Sequence, residues 1–497
     1  MVSVLKVNLW GKEIGRLAWD ERRRLSYFTY NPEFLSHGLE VAPIVAPLVS
    51  FGELPVWGRE EKIYQRLPSF IADSLPDAWG NQLFDIWRRE NHLSNADITP
   101  LDKLSFIGKR GMGALEFEPQ TAREHSPRHI DLSKLTALAH RISSEREKAR
   151  ILPDESITMQ SLLTVGTSAG GRQPKAIIAI NRENWEIRSG QIAGLKDYDY
   201  YLLKFGNQAY NSAELEMTYY KLATAAGITM MPSRLYTIEG QQHFMTMRFD
   251  RKDGEKLYTQ TLAAIDPEAE SYEQLIAVCR RLHVPEPDCQ QVFRRLVFNI
   301  LANNTDDHNK NFSFIMDKDG SWHLAPAYDM TYIIDNGGVL PEEDHCMYIR
   351  AKLNSITRED ALLFAHDNGI RRPEAVIREV ARVLREFRQT AKQCGVSERW
   401  TGRVEATIVR HLKEWGEWDE QSQKAFLING HAVTRLKLVQ TYKGNYHLLA
   451  TVDGKERKFV IGKNKEEYSL IERKGIENIT GDELKAMAHK YFKTADL

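Results

Sequence analysis

A polar segment enclosed by two apolar runs is the feature that most constrains how this 497-residue chain can fold. The apolar runs cover residues 297–301 and 312–316, and carboxylates, amides, a histidine and a lysine lie between them. This pattern predicts a polar loop held on two packed flanks, which is where functional groups are usually placed. A turn over residues 317–320 and a second polar stretch ending at Asp329 follow. We therefore look first for a functional site between residues 303 and 329.

Three side chains of this segment have an informative spacing. Asn311 lies five residues after Asp306, and Asp329 follows Asp306 by 23 residues. Protein kinases use an Asp that accepts the substrate hydroxyl proton, an Asn five residues later that binds metal, and a later Asp that binds Mg²⁺. Phosphoryl transfer needs such groups because hard carboxylate and amide oxygens position Mg²⁺. An Asp-rich surface turn, or a carboxylate site for another metal, is the alternative.

The residues themselves resemble one kinase family. Residues 305–313 read Thr-Asp-Asp-His-Asn-Lys-Asn-Phe-Ser, and residues 326–329 read Pro-Ala-Tyr-Asp. This sequence resembles the HipA-type serine/threonine kinases, the toxins of bacterial type II toxin–antitoxin pairs. Their usual form is T-D-G-H-x-K-N followed by P-x-Y-D, so Asp307 is a departure from the family pattern.

The resemblance implies a role for each polar residue of the segment. Asp306 is expected to accept the proton of the substrate hydroxyl, and Asn311 and Asp329 are expected to hold Mg²⁺. His308 and Lys310 share the loop and are expected to neutralise phosphate charge. Tyr328 is expected to lie at the nucleotide.

A second loop, over residues 166–175, is rich in glycine and hydroxyl side chains and leads into a β-branched run. Backbone N–H groups of such a loop can point at one centre and bind phosphate oxygens, although the loop lacks a Walker A motif. A flexible hairpin loop is the alternative. The family form S-x-x-G-x-Q-x-K is matched, which implies autophosphorylation at Ser168, or alternatively at Thr167. The predicted phosphate-binding residues are Gly166, Thr167, Ser168, Ala169, Gly170, Gly171, Gln173 and Lys175.

Lys204 ends an aromatic and aliphatic run that predicts a strand, residues 198–204. A buried lysine needs an anionic partner, because an unpaired buried charge is costly. The resemblance implies that Lys204 contacts the ATP phosphates and that its partner is Glu216, on the following helix. The alternative is that Lys204 extends its amine to solvent from the end of the strand.

The sequence Arg-Phe-Asp-Arg over residues 248–251 resembles the signature of the family where the two lobes of a kinase join. The backbone of Met247 and Phe249 is therefore expected to hydrogen-bond the adenine. Asp250 and Arg251 are expected to be structural.

These motifs predict an α+β chain with a two-lobed protein-kinase-like core. An N-terminal β-rich module precedes the core, and a small β-rich appendage of unknown role follows it. The Leu-Pro-Asp motif at residues 75–77 resembles the N-terminal module of the family. The predicted divisions are residues 1–125 for this module, 130–250 and 251–424 for the two lobes, and 425–497 for the appendage.

Composition narrows the environment and the partners. The net charge of −1 indicates no general attraction to nucleic acid. The four cysteines form no C-x-x-C pair and are typical of reduced thiols in a cytosolic protein. The N-terminus does not resemble a signal peptide, and no apolar run approaches the ~20 residues of a membrane span. A cytoplasmic protein without a membrane partner is expected.

The predicted activity is ATP- and Mg²⁺-dependent phosphorylation of a protein serine or threonine by a toxin that arrests growth. By analogy with the family, the substrate is an aminoacyl-tRNA synthetase and the partner is a small DNA-binding antitoxin, with operator DNA contacted only through that complex. Two alternatives belong to other classes: a non-catalytic transcriptional co-repressor on a kinase-like fold, and an enzyme that transfers AMP.

Overall fold

The computed structural model forms two compact units, residues 1–411 and 412–497, which are described separately. The structure describes residues 2–94, 98–121, 130–145, 156–166, 173–191, 194–333, 342–418, 426–428, 431–441, 445–452, 455–463, 465–476, 479 and 481–492.

The first unit begins with a five-stranded antiparallel sheet in the order β4-β3-β2-β1-β5. Alternation of apolar and polar residues in β1 places Leu5, Val7 and Leu9 in the core and the intervening side chains outside. The strands are β1 (Val4–Leu9), β2 (Lys12–Asp20), β3 (Leu25–Tyr30), β4 (Val56–Trp57) and β5 (Leu115–Glu118). The helices are α1 (Pro32–Leu35), α2 (Leu48–Phe51), α3 (Ser69–Ala72), α4 (Ala78–Glu90) and α5 (Pro100–Ile107).

A second five-stranded antiparallel sheet follows, in the order β7-β6-β8-β10-β9. Six of the seven residues of β6 are buried, as expected for a central strand that is covered on both faces. The strands are β6 (Lys175–Asn181), β7 (Ile187–Ser189), β8 (Tyr198–Lys204), β9 (Ser233–Ile238) and β10 (Gln241–Met247). The helices are α6 (Leu132–Glu145), α7 (Ser156–Gly166) and α8 (Ser212–Ala225). Gly227, with a φ of +80°, ends α8 in the left-handed region.

The remainder of the first unit is mainly helical. Two short strands, β11 (Arg251–Lys252) and β12 (Glu255–Lys256), precede a three-stranded sheet of β13 (Tyr258–Thr261), β14 (Ser313–Met316) and β15 (Trp322–Leu324). The helices between β13 and β14 are α9 (Leu262–Ile265), α10 (Tyr272–Arg281) and α11 (Glu286–Ala302). The helices after β15 are α12 (Arg358–Asp367), α13 (Pro373–Leu384), α14 (Phe387–Cys394) and α15 (Glu398–Glu414).

The N-terminal module and the second sheet share one hydrophobic core. Trp79, Leu83 and Phe84 of α4 are buried in the same cluster as Leu162 of α7 and Ile178 of β6. Burial of large aromatic and aliphatic side chains is the main stabilising contribution to such a junction. The first turn of α4 is therefore held at a fixed place beside the start of β6.

The second unit is β-rich, as the sequence predicts. Its four-stranded antiparallel sheet has the order β16-β17-β18-β19 and shares a core with two helices, around Leu448, Ile471 and Met487. The strands are β16 (Phe426–Ile428), β17 (His431–Gln440), β18 (Tyr446–Val452) and β19 (Lys455–Ile461), and the helices are α16 (Glu466–Lys474) and α17 (Gly481–Phe492). The four-part division of the chain stays a prediction.

Among the helices in the described part of the chain, none combines the length and the apolar character needed to cross a lipid bilayer.

Candidate active site

The segment between α11 and β14 forms a loop that is fixed by its own amides. Asn303 ends α11 with a φ of +56°, a left-handed conformation that asparagine tolerates better than most residues. The Asn304 amide donates to Asn299 Oδ1 at 2.9 Å, and Asn311 Nδ2 donates to the Asp306 carbonyl at 2.7 Å. The last bond orients the Asn311 side chain across the loop. The two residues with the predicted kinase spacing are thereby held together.

The Asp306 carboxyl is half exposed, with 49% of its side chain accessible. His308 Nε2 lies 3.7 Å from Asp306 Oδ1, while its Nδ1 accepts from the Lys310 amide at 3.2 Å. A neutral His308 that accepts at Nδ1 carries its proton at Nε2, on the side of Asp306. Cys346, an exposed thiol, contributes a sulfur 3.9 Å from Asp306 Oδ1. Burial, Asp306 and Asp307 together raise the pKa of this thiol to about 12, so it is protonated at neutral pH.

Lys204, at the end of β8, is 6% exposed and lies between two carboxylates. Its Nζ is 2.5 Å from Glu216 Oε1 on α8, and it also contacts Asp329 Oδ1. Burial alone would lower the pKa of Lys204, but the charges of Asp329 and Glu216 outweigh it and raise the pKa above its usual value. Burial opposes ionisation of Asp329, yet Lys204 holds the pKa of that carboxyl below its usual value. The partner that the sequence predicts for Lys204, Glu216, is in contact with it.

Asp329 occupies an unusual backbone conformation, with a φ of +56°. The residue before it, Tyr328, donates to the Lys310 carbonyl at 2.6 Å and lies 2.6 Å from Ser313 Oγ. The Tyr328 ring also stacks on Phe249, with ring centroids 5.5 Å apart. Strained backbone of this kind persists only where surrounding contacts enforce it, and it is common at functional sites. The tyrosine therefore anchors Asp329 to the loop that carries Asp306.

The connection between the two lobes carries the predicted adenine contacts. The N–H of Met247 donates to the Pro232 carbonyl at 2.9 Å. The hydrogen bonds of the Met247 and Phe249 backbone to adenine stay a prediction. Phe249 lies beside Tyr328, with its ring half buried.

Asp250 and Arg251 lie in a buried cluster that joins the core to the N-terminal module. Asp250 accepts from Arg248 at 2.7 Å, from Arg251 at 2.6 Å and from the amide of Gly113 at 2.8 Å. Burial opposes the charge of Asp250, but the two arginines hold the pKa of its carboxyl well below the usual value. These buried contacts hold Asp250 and Arg251 in place, and the structural role that the sequence predicts for them stays a prediction.

The predicted phosphate loop lies largely outside the described residues, which do not include residues 167–172. The predicted sites Thr167, Ser168, Ala169, Gly170 and Gly171 all fall there. Gly166 ends α7, and Gln173 Nε2 donates to the Phe205 carbonyl at 2.8 Å. Lys175 begins β6 and is 1% exposed, and its Nζ lies 3.2 Å from Asp77 Oδ2.

Asp307, where the sequence departs from the family pattern, is a buried acceptor in this loop. Its Oδ2 accepts from the Tyr272 hydroxyl at 2.7 Å and contacts His345 Nδ1 at 2.8 Å. Its Oδ1 accepts from the Cys346 amide at 2.9 Å, and the Tyr272 hydroxyl in turn accepts from Asn299 at 2.9 Å. These contacts join α10, α11, the loop and residues 345–346. Sequence reasoning missed them because the partners lie 35 to 39 residues away with no periodic signal.

We expect Asp307→Asn to lower the free energy of unfolding by about 1 to 3 kcal/mol, because either orientation of the new amide points an N–H at a donor. In one orientation the NH₂ group meets Tyr272 and His345, and in the other it meets the Cys346 amide. Urea denaturation measures the change. The matched control is Asp344→Asn, an exposed carboxylate two residues before Cys346, expected within about 0.5 kcal/mol of wild type. Equal stabilities for the two variants would contradict this account of Asp307.

The donor set fits Mg²⁺. The second carboxylate oxygen of Asp329 and the amide oxygen of Asn311 are hard ligands, and Mg²⁺ usually takes one or two such protein ligands together with substrate phosphates. Asp329 is 34% exposed at its side chain, so a bound cation can reach it. A cavity of about 310 Å³ adjoins Asp329, and Gln173 and Glu216 also line it.

Comparisons with known proteins agree with this arrangement. A family model described as the HipA N-terminal domain matches residues 5–118, and one described as the HipA-like C-terminal domain matches residues 167–412. A protein of Haemophilus influenzae named "Putative kinase" is 28% identical over 201 residues, 36% of this chain and 56% of that protein. "Putative kinase Y4mE" of Sinorhizobium fredii is 24% identical over 202 residues, 35% of this chain and 48% of that protein. The chain thus spans about half the length of these curated relatives.

The fold is similar to that of a solved structure of the HipA family. That structure is HipA of Shewanella oneidensis MR-1 in a complex with HipB and operator DNA, with a TM-score of 0.59 and 17% sequence identity. The match covers 83% of this chain and 98% of that one. The likeness confirms the predicted α+β, two-lobed kinase-like fold. Since the two HipA models together match well over half of its residues, the chain belongs to the HipA family.

Proposed function

We propose that this protein is an ATP- and Mg²⁺-dependent protein kinase that transfers a phosphoryl group to a serine or threonine hydroxyl. The observation that carries the proposal is the position of Lys204, whose amine bridges Glu216 and Asp329. Kinases need the equivalent lysine–glutamate pair and the metal-binding aspartate in place together. The loop that carries Asp306 and Asn311 is fastened to Asp329 through Tyr328, so the required groups belong to one connected site.

Each residue has a role that its surroundings support. Bound MgATP supplies the phosphoryl group, and the metal neutralises charge on it. Asn311 and Asp329 hold the metal, and Lys204 orients the phosphates. Asp306, half exposed and beside His308, accepts the proton of the hydroxyl that attacks. Because about half of the Asp306 side chain is exposed, a side chain of another protein can reach it.

Target and partners follow by analogy with the family. The relative from Shewanella oneidensis forms a complex with HipB and operator DNA, which supports a small DNA-binding antitoxin as partner here. We propose that operator DNA is contacted through that complex, and that the protein acts in the cytoplasm as a toxin. The proposed substrate class is an aminoacyl-tRNA synthetase, with autophosphorylation at Ser168, or at Thr167, limiting the activity.

Intact-protein mass spectrometry after incubation with Mg²⁺ and ATP tests the proposal. We expect wild type to gain the mass of phosphate, mapped to Ser168 or Thr167, while the Asp306→Ala variant stays unmodified. Gain of the mass of AMP would instead support nucleotide transfer. Absence of both modification and ATP binding in wild type would overturn the kinase proposal and favour a non-catalytic co-repressor. Repression that persists in Asp306→Ala without ATP would support that alternative independently.

A further inference from the structure

The Leu-Pro-Asp motif of the N-terminal module lies against the proposed nucleotide site. It belongs to the connection between α3 and α4, which carries two carboxylates, Asp73 and Asp77. Asp73 accepts from the amide and the hydroxyl of Thr261, at 2.7 Å and 2.8 Å, next to the strand that pairs with β14. Asp77 contacts Lys175. Burial raises the pKa of both carboxyls, and nearby lysines, Lys310 for Asp73 and chiefly Lys175 for Asp77, oppose that rise.

Asp77 uses its two oxygens for two different purposes. Oδ1 accepts from the Gly80 amide at 2.5 Å and caps α4, while Oδ2 lies 3.2 Å from Lys175 Nζ. The first turn of α4 also contacts Lys175, because Trp79 Nε1 donates to the Lys175 carbonyl at 3.1 Å. Since α4 is packed in the shared core, both the backbone and the amine of Lys175 are held by one rigid helix start.

Lys175 needs such a partner because of the charges around it. It is 1% exposed, and burial lowers the pKa of its amine. Lys204 on the neighbouring strand lowers the pKa further, whereas Asp77 and Asp329 raise it, and Glu216 on α8 also senses its charge. Without Asp77, the amine would lose the carboxylate that lies 3.2 Å from it and would keep the unfavourable charge of Lys204 nearby. Its position and its charge would then both be less favourable for binding an anion.

We propose that Asp77 is a positioning residue for the nucleotide site: it holds Lys175 where the phosphates of ATP bind, so that the N-terminal module completes a site in the kinase core. This inference rests on the proposed function, since it takes ATP as the ligand. A helix cap alone would not place a second carboxylate oxygen beside a buried lysine.

The test compares binding of ATP with binding of adenosine, each titrated fluorometrically in the presence of Mg²⁺. Asp77→Asn retains a good helix cap, because asparagine ranks with aspartate at that position, but it removes the charge that faces Lys175. We expect its Kd for ATP to rise about tenfold, the loss of a charge-assisted hydrogen bond, and its Kd for adenosine to stay unchanged. The control Asp85→Asn, an exposed position of α4, should match wild type for both ligands.

A double-mutant cycle shows whether Asp77 acts through Lys175. In a Lys175→Met background, Asp77→Asn should cause no further loss of ATP affinity, because coupled residues are not additive. Thermal unfolding shows that each variant is folded. Equal ATP affinity in Asp77→Asn and wild type, equal weakening of ATP and adenosine, or additive effects in the cycle would each overturn the positioning role while leaving the kinase proposal intact. Failure of wild type to bind ATP would overturn both.

Discussion

We expect Asp306→Asn to bind ATP as wild type does and to lose phosphoryl transfer by about 10² to 10⁴-fold, the contribution typical of a positioned general base. Asparagine has nearly the size of aspartate, and the backbone carbonyl of residue 306 can still accept from Asn311. What the substitution removes is the oxygen that accepts a proton beside His308. The Kd for ATP should change by less than about twofold, since base and nucleotide contacts are separate. Single-turnover transfer from radiolabelled ATP measures the chemical step.

The matched control is Asp317→Asn, an exposed aspartate on the turn between β14 and β15. It carries the same chemical change on the same stretch of chain, and transfer should remain within about twofold of wild type. If Asp306→Asn retained most of its transfer rate with unchanged ATP binding, Asp306 would not be the base. A large loss of ATP affinity in this variant would instead assign Asp306 to the nucleotide or its metal.

Pairings that lie close in sequence were predictable. Lys204 and Glu216 are separated by 12 residues, one ending a strand and the other in the next helix, and a buried lysine requires an acid nearby. In the structure, Lys204 Nζ lies 2.5 Å from Glu216 Oε1. The β-rich character of the N-terminal module and of the appendage was likewise predicted. The spacing of Asp306 and Asn311, which are only five residues apart, likewise predicted the position of the loop.

Contacts between distant segments could not be predicted in this way. Asp77 and Lys175 are 98 residues apart, and Asp307 lies 38 residues from His345. No periodic pattern links such residues, and only tertiary packing brings them together. Lys175 was predicted as a phosphate ligand, while the carboxylate that holds its amine was read only as a family motif.

We expect Lys204→Met to abolish transfer and also to lower the free energy of unfolding by about 3 to 5 kcal/mol. The substitution leaves Glu216, which is 5% exposed, without its cationic partner. Burial already raises the pKa of Glu216, and only Lys204 opposes that strongly. In the variant, the raised pKa of Glu216 keeps its carboxyl protonated in the folded protein at pH values where the unfolded chain has released that proton. The deficit in stability should therefore grow as the pH rises from about 5 to about 8, as urea denaturation at several pH values can measure.

The double variant Lys204→Met/Glu216→Gln separates stability from function. Replacing both the lysine and the glutamate leaves no uncompensated charge at position 216, so most of the lost stability should return and most of the pH dependence should disappear. Transfer should stay absent, because the cation that contacts Asp329 and orients the phosphates has been removed. If the double variant were as unstable as the single one, the cost would come from lost packing rather than from the orphaned carboxylate. If Lys204→Met transferred phosphate at the wild-type rate, the bridge between Glu216 and Asp329 would be structural, and the proposed kinase mechanism would lose its central observation.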